Sequence, residues 1–290
     1  MEIREMLDSG RQALNQAGIV NPGLEAEIIL SGVLNCDRVY FYAHPHETVD
    51  SIKKEAYFKA IKRRCQDEPV AYILGKKEFM GMGFLVNQDV LIPRPDTEPM
   101  VEYLIKRLNS DYPDGAKILD LCTGSGAIGI SLKKNIPQGM VALSDFSKRA
   151  LSVAKANADH LVEGNLILYE GDLFKAIPEG EKFDLIVSNP PYIKRTDMND
   201  LAPDILQYEP HMALDGGISG LDFYERIIEA AGQYLRRPGL LALEIGDEQM
   251  EPVFNLLTRH GYVQIEKILD LSGHVRSLIG KKTENNDKRQ

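Results

Sequence analysis

Leu119-Asp120-Leu121-Cys122-Thr123-Gly124-Ser125-Gly126-Ala127-Ile128-Gly129 is the stretch whose reading decides the fold. An apolar run enters it and a helix-forming run leaves it, so it reads as the turn from a buried β-strand into a helix. Glycines are needed where backbone turns sharply and lets a nucleotide approach closely. The spacing Gly124-x-Gly126-x-x-Gly129 fits a dinucleotide fingerprint. Asp145, about 20 residues further on, can bind ribose hydroxyls in a dehydrogenase or in a methyltransferase. A plain tight turn is the third reading, and the loop alone does not separate the three.

Outward from this loop, strands and helices alternate. Ile118-Leu119, Val141-Ala142-Leu143, Leu166-Ile167-Leu168, Leu185-Ile186-Val187 and Leu240 to Ile245 read as short buried strands. Helical segments are expected near 127–134, 147–159 and 221–237. That alternation predicts a mostly parallel α/β sheet with helices on both faces. Tyr262 to Leu269 and Val275 to Ile279 leave no room for a helix between them, so an antiparallel pair is expected at the end.

Upstream, residues 1–77 read as a helical domain. One stripe runs through Leu7, Ala13, Leu14, Ala17 and Ile19, a second through Leu24, Ala26, Ile28, Ile29, Leu30 and Leu34. A third runs through Ala56, Phe58, Ile61 and Arg64. Residues 78–93, with Phe79, Phe84, Val86, Val90 and an Asn87-Gln88-Asp89 turn, suggest a β-hairpin linker. Residues 94–280 are then the α/β domain, and the polar stretch 281–290 is expected to be a disordered tail.

A chain of 290 residues is comfortable for two domains. Its net charge of −9 argues against bare nucleic acid as the main partner. Cys36, Cys65 and Cys122 are widely spaced and read as reduced thiols of a cytoplasmic protein. No apolar run approaches membrane length and no signal peptide is evident. Within 51–80, eight basic residues face four acidic ones, which reads as a solvated helix face or as a docking surface. His44-Pro45-His46 lacks the neighbours a metal site needs, so no metal is expected.

Two features lean towards methyl transfer. Asp120, just before the loop, can face the cationic methionine end of S-adenosyl-L-methionine. Asp172, in Gly171-Asp172-Leu173-Phe174, can accept from the adenine amine, or simply cap a turn. Asn189-Pro190-Pro191-Tyr192 then follows the fourth strand. Two successive prolines donate no backbone hydrogen bonds and fix φ, so the loop offers acceptors in a stiff frame. The Asn189 oxygen and the Pro190 carbonyl can each take one hydrogen of an –NH₂ group, while Tyr192 stacks on its plane. An amide or aromatic amine nitrogen has a delocalised lone pair, and holding both hydrogens orients it for in-line attack. Glutamine and adenine both meet that description.

These residues resemble the HemK/PrmC family, the peptide chain release factor glutamine methyltransferases. The likeness runs through Leu91-Ile92-Pro93-Arg94-Pro95-Asp96-Thr97-Glu98, the loop at 120–129, Asp145 and Asn189 to Tyr192. It continues through Glu209-Pro210, Ala213-Leu214, Gly220-Leu221, Leu243-Glu244-Ile245-Gly246 and Gln249. The resemblance implies a small helical domain, a hairpin and a seven-stranded Rossmann-like methyltransferase domain. It implies methylation of the glutamine in the Gly-Gly-Gln motif of release factors, without direct contact to nucleic acid or membrane. Asn189, Pro190 and Tyr192 would be catalytic, with Pro191 also at the substrate. Cys122, Thr123, Gly124, Ser125, Gly126, Asp145, Asp172, Leu173, Phe174 and Asn189 would border the cofactor. Cys122 stands where glycine is common, and either Leu173 or Phe174 must supply the apolar adenine contact. Arg94, Thr97 and Glu98 are expected as supports near the pocket or as a structural ion pair, and His211 as a flanking loop residue. A ribosomal-protein glutamine methyltransferase, an adenine-amine methyltransferase and a non-catalytic nucleotide-binding regulator are the competing readings.

Overall fold

The computed structural model describes residues 1–164 and 166–283. The chain forms two units, one of Met1–Lys76 with Leu201–Glu209, the other of Lys77–Asp200 with Pro210–Gln290. The first unit is therefore not the contiguous segment 1–77 expected from the helical stripes, because residues 201–209 also belong to it.

In the first unit, α1 (Ile3–Gln16), α2 (Pro22–Leu34), α3 (Val39–Ala43), α4 (Ser51–Arg64) and α5 (Val70–Leu74) are joined by α9 (Pro203–Tyr208). The Tyr208 hydroxyl donates to the Gln66 carbonyl at 2.7 Å. α1 buries Ile3, Met6, Gly10 and Leu14, at helical spacing. A Cβ on Gly10 would lie 2.0 Å from the Tyr57 hydroxyl, so glycine there admits a large ring from α4. That ring moves the buried face of α4 to Tyr57, Ala60, Ile61 and Arg64, away from the expected Ala56 and Phe58. Arg64 is tolerated in this core because its guanidinium pairs with Glu25 at 2.5 Å.

The second unit opens with the hairpin β1 (Lys76–Phe79) and β2 (Met82–Leu85). Its turn is Met80-Gly81, both with positive φ, and the expected Asn87-Gln88-Asp89 turn follows β2, where Asp89 N donates to Asn87 Oδ1 at 2.9 Å. The hairpin is more than a linker: Phe79 and Phe84 are buried in the same cluster as the sheet residues Ile118, Leu143 and Leu185. Asn157, wholly buried, accepts from Leu85 N at 2.7 Å and donates to the Leu85 and Ser125 carbonyls at 3.0 and 2.9 Å.

The sheet comprises β3 (Lys117–Leu121), β4 (Met140–Asp145), β5 (Ile167–Glu170), β6 (Phe183–Ser188), β7 (Leu235–Glu244), β8 (Tyr262–Leu269) and β9 (Val275–Lys282). Their order is β5-β4-β3-β6-β7-β9-β8, with β9 alone running antiparallel to its neighbours. The helices are α6 (Glu98–Asp111), α7 (Ala127–Asn135), α8 (Lys148–Leu161), α10 (Asp222–Ala231) and α11 (Met250–Arg259). α10 stops at Ala231, six residues before the expected end at 237, because Leu235 already opens β7. β9 extends through Lys281 and Lys282, two residues of the expected tail; residues 284–290 of that tail lie outside the described ones. β6 is buried at every position from Phe183 to Ser188, as a central strand covered on both faces must be.

Candidate active site

Strand order reverses between β3 and β6, and a doubly wound sheet opens a crevice at that point, beyond the carboxyl ends of its strands. The loops after β3, β4, β5 and β6 wall a cavity of about 470 Å³ there. Cys122, Thr123, Gly124 and Ser125 form one side, Asp145, Phe146 and Ser147 another, and Gly171, Asp172 and Leu173 a third. Asn189 and Pro191 complete it, with Arg94 and Thr97 from the segment before α6.

The glycine loop is folded by its own hydrogen bonds. Asp120 Oδ2 accepts from the Thr123 hydroxyl at 2.6 Å and from Gly129 N at 2.9 Å. Its other oxygen is buried without a partner, and burial pushes the carboxyl up to about 7. Asp120 is thus turned into the loop, and the expectation that it faces a cationic ligand is corrected: it does not line the cavity. Cys122 has φ +61°, which explains why glycine suits this position: an L side chain there strains the backbone. Burial pushes its thiol up to about 12, so it is a neutral wall residue. Gly126, at φ +83°, caps the start of α7 and does not line the cavity; a Cβ on it would meet Ile130 at 2.6 Å and Ala154 at 3.3 Å. Gly129 lets α7 close on β4, since a Cβ would meet Leu143 at 2.3 Å.

Asp145 sits at the end of β4, with Oδ2 accepting from Gly124 N and Oδ1 from Ser147 N, both at 2.9 Å. It therefore faces the cavity and ties the β4 loop to the β3 loop. Burial raises its carboxyl above the ordinary range, opposed by those backbone donors. Of the two apolar candidates after β5, Leu173 lines the cavity and Phe174 does not. The Phe174 ring stacks on Tyr234 at 4.6 Å within the core, which removes it from the expected cofactor set. Asp172 lines the cavity, but its two oxygens are held by Arg226 at 2.5 Å and Lys175 at 3.0 Å. The Arg226 hydrogen bond holds its carboxyl below the usual range.

The tetrapeptide is divided. Asn189 and Pro191 face the cavity; Pro190 is buried and Tyr192 partly so, and neither lines it. Asn189 Nδ2 donates to Glu244 Oε1 at 2.8 Å, and Glu244 Oε2 accepts from the Thr97 hydroxyl at 2.5 Å. With its nitrogen committed to a carboxylate, the Asn189 amide has only one sensible orientation, and its oxygen is directed away from Glu244. Tyr192 packs against the apolar cluster beneath β7, and burial beside Glu244 raises its phenol above the ordinary range. The backbone that follows is zipped to 214–217, with Ile193 N donating to Leu214 O at 2.9 Å and Gly216 N to Ile193 O at 2.8 Å. A Cβ on Gly216 would lie 2.6 Å from the Tyr192 α-carbon.

Three parts of this arrangement escaped the sequence reading. Phe146, beside Asp145, is 65% exposed and borders the cavity, where an aromatic face can cover a planar ring. Its signal was its place after the strand-terminal carboxylate. Asn157 carried no local signal. Arg195 and Asp215 line the rim as a pair at 3.0 Å, brought together by the 193–217 zipper. Of the expected supports, Thr97 and Arg94 are at the cavity. Glu98 instead accepts from Met80 N at 2.8 Å and secures the hairpin turn. His211 flanks the cavity without lining it. His44 stacks on Tyr40 at 4.0 Å and His46 meets Glu2 at 2.8 Å. Among the described residues no group of three His, Cys, Asp or Glu could hold a metal, and no helix is long and apolar enough to cross a membrane.

Known proteins place this architecture. The PrmC N-terminal domain profile matches residues 5–75 and the methyltransferase small domain profile residues 97–218. A release factor glutamine methyltransferase of Geobacter sulfurreducens is 39% identical over 96% of this chain and 96% of its own length. The chain belongs to the release factor glutamine methyltransferase family. A second such protein, from Clostridium acetobutylicum, is 39% identical over 96% of this chain and 98% of its own. A crystal structure of a methyltransferase from Pyrococcus furiosus covers 81% of this chain and all of its own at 20% identity with a TM-score of 0.52, a likeness of fold alone. Membership gives the cavity and the tetrapeptide a common setting: both lie in the catalytic unit of a methyltransferase.

Proposed function

We propose that this chain is an S-adenosyl-L-methionine-dependent enzyme of the cytoplasm that methylates the side-chain amide nitrogen of the glutamine in the Gly-Gly-Gln motif of peptide chain release factors. The observation that carries the reading is the Asn189 amide, whose nitrogen is taken by Glu244 so that its oxygen is the atom left for a ligand. An acceptor at the end of a rigid strand exit suits a group that is all donor on one side, as a primary amide nitrogen is. The near full-length likeness to proteins named release factor glutamine methyltransferase selects glutamine over adenine.

The donor set fits the cofactor in most respects. Cys122 to Ser125 supply a close backbone wall, Asp145 an acceptor for ribose hydroxyls, and Leu173 with Phe146 apolar faces for the adenine. Gly126 acts through the turn it makes. Asp172 fits less well as an adenine acceptor, since Arg226 and Lys175 already hold it. When bound, S-adenosyl-L-methionine supplies an electrophilic methyl group on a sulfonium. The protein's part is to orient the amide: Asn189 Oδ1 accepts one of its hydrogens and Pro191 limits its approach, whereas Pro190, expected to take the other, is buried and does not line the cavity. Tyr192 then serves as a buried brace for the loop more than as a stacking face. As charge develops on the nitrogen, acceptors on its hydrogens stabilise the transition state more than the ground state.

Incubation with labelled cofactor and, in parallel, a release factor, ribosomal protein and DNA tests this. Label is expected on the Gly-Gly-Gln glutamine. Label confined to ribosomal protein or to DNA would replace the proposed substrate.

A further inference from the structure

Glu244 ends β7 and is 1% exposed, and Gln249 lies on the turn into α11 at 6% exposed. Neither lines the cavity, yet both reach the tetrapeptide. We infer that Glu244 and Gln249 are positioning residues that hold the tetrapeptide at its two ends, Glu244 by fixing which way the Asn189 amide faces and Gln249 by anchoring the Tyr192 carbonyl. The inference rests on the reading of this site as a glutamine amide methyltransferase.

The hydrogen-bond polarities leave little freedom. With Glu244 ionised, a flipped Asn189 would set its carbonyl oxygen against the carboxylate, which Thr97 holds from the other side at 2.5 Å. Gln249 Nε2 donates to Tyr192 O at 2.9 Å and to Gly220 O at 3.0 Å, while its Oε1 accepts from Gly246 N at 2.9 Å. Donors therefore face carbonyls and the acceptor faces an N–H, so this amide too has one orientation. The Tyr224 hydroxyl lies 2.9 Å from the Glu244 carbonyl and 3.2 Å from Gln249 Oε1, tying the two prongs together. Gly220 and Gly246 keep the clamp closed, since a Cβ on Gly220 would meet Tyr192 O at 2.6 Å and one on Gly246 the Tyr192 ring at 3.2 Å. A site that must present an acceptor to within a few tenths of an ångström needs such buried support.

The test uses the full chain with labelled S-adenosyl-L-methionine and an intact release factor. Single-turnover rate is scaled to the number of cofactor-binding sites. Glu244→Met and Gln249→Met keep the side-chain volume and delete the hydrogen bonds. Each is expected to slow methyl transfer about tenfold or more, the effect of losing one or two buried hydrogen bonds. Cofactor Kd should change less than about threefold, because residues 122–125 and Asp145 are untouched. Glu244→Gln can still accept from Asn189 and donate to the Thr97 oxygen, and should return the rate to within about threefold of wild type. A purely structural role would lower thermal stability but leave the rate per cofactor-binding site unchanged, and that result overturns the inference. Cofactor affinity falling in step with rate also overturns it. If the methionine variants do not fold, Thr97→Val, which deletes one hydroxyl, should give the same split at about threefold; an unchanged rate there overturns it equally. Wild-type enzyme that leaves glutamine unlabelled rejects the functional reading itself, whereas labelling with unaffected variants rejects only the clamp.

Discussion

Replacing Asn189 by alanine removes one hydrogen-bond acceptor from the cavity and one donor from a buried carboxylate, and the two losses register in different measurements. On the stability side, Glu244 Oε1 loses the bond it receives at 2.8 Å while remaining 1% exposed. An orphaned buried polar group costs about 1–3 kcal/mol, and in a domain of this size each kcal/mol lowers Tm by about 2–4 °C. The burial that already pushes the Glu244 carboxyl up to about 7 then meets one fewer opposing donor, so the group takes up a proton more readily. On the catalytic side, the missing acceptor is the one proposed for a nitrogen that becomes charged, and such bonds are worth about 1.5–3 kcal/mol, roughly 10- to 150-fold in rate. Loss of orientation adds to this, so a fall of at least about a hundredfold is expected. The loops carrying Cys122 to Ser125 and Asp145 do not bond to Asn189, so cofactor Kd should stay within about threefold of wild type. Single-turnover methyl transfer to an intact release factor, calorimetric cofactor binding and thermal denaturation separate the three quantities. Rate and cofactor affinity falling together, or a rate within fivefold of wild type, would refute the reasoning.

Leu173→Ala should weaken cofactor binding by about 1–2 kcal/mol, as expected for an apolar wall, while Phe174→Ala should cost stability of about 3–5 kcal/mol. Reversal of that pattern in binding and urea titrations would put Phe174 back at the ligand. Asp120→Asn tests linkage: the folded carboxyl sits at about 7 against an ordinary value of 3.8, so between these values the folded state holds a proton that the unfolded chain has lost. Stability should therefore fall as pH rises from about 5 to 7, by up to about 1.4 kcal/mol per pH unit from this group, and the variant should show a shallower slope in urea unfolding. Parallel slopes would mean that Asp120 is ionised throughout. Cys122→Gly relieves a left-handed backbone worth about 1–2 kcal/mol but frees the unfolded chain by about 0.5–1 kcal/mol, so a stability change between nil and about +1.5 kcal/mol is expected by denaturant titration. A loss above 1 kcal/mol would show that thiol packing matters more than backbone strain.

Much of this could be read along the chain because the signals are local. Glycines at 124, 126 and 129 mark a strand-to-helix turn, and alternating apolar runs with intervening helices specify a parallel sheet almost by elimination. Where the reading slipped, the deciding contact came from elsewhere in the chain. Tyr57 rotated the buried face of α4 because Gly10, far away in sequence, left room for its ring. Residues 201–209 read as part of the α/β segment, yet their contacts place them with the helical unit.

The same division holds within the site. Sequence alone determined that the loop at 119–129 turns sharply from a strand into a helix and that Asn189-Pro190-Pro191-Tyr192 is a stiff loop poor in backbone donors, since glycine and proline act on the backbone they belong to. Only tertiary structure decided which side chains face the cavity. Leu173 and Phe174 are adjacent, and the nearby Tyr234 ring takes one of them into the core. Asp120 turns to its own loop because Thr123 and Gly129 offer donors there. Asn189 presents its oxygen because Glu244, 55 residues on, claims its nitrogen. Orientation is set by partners that folding brings together, and no local pattern records them.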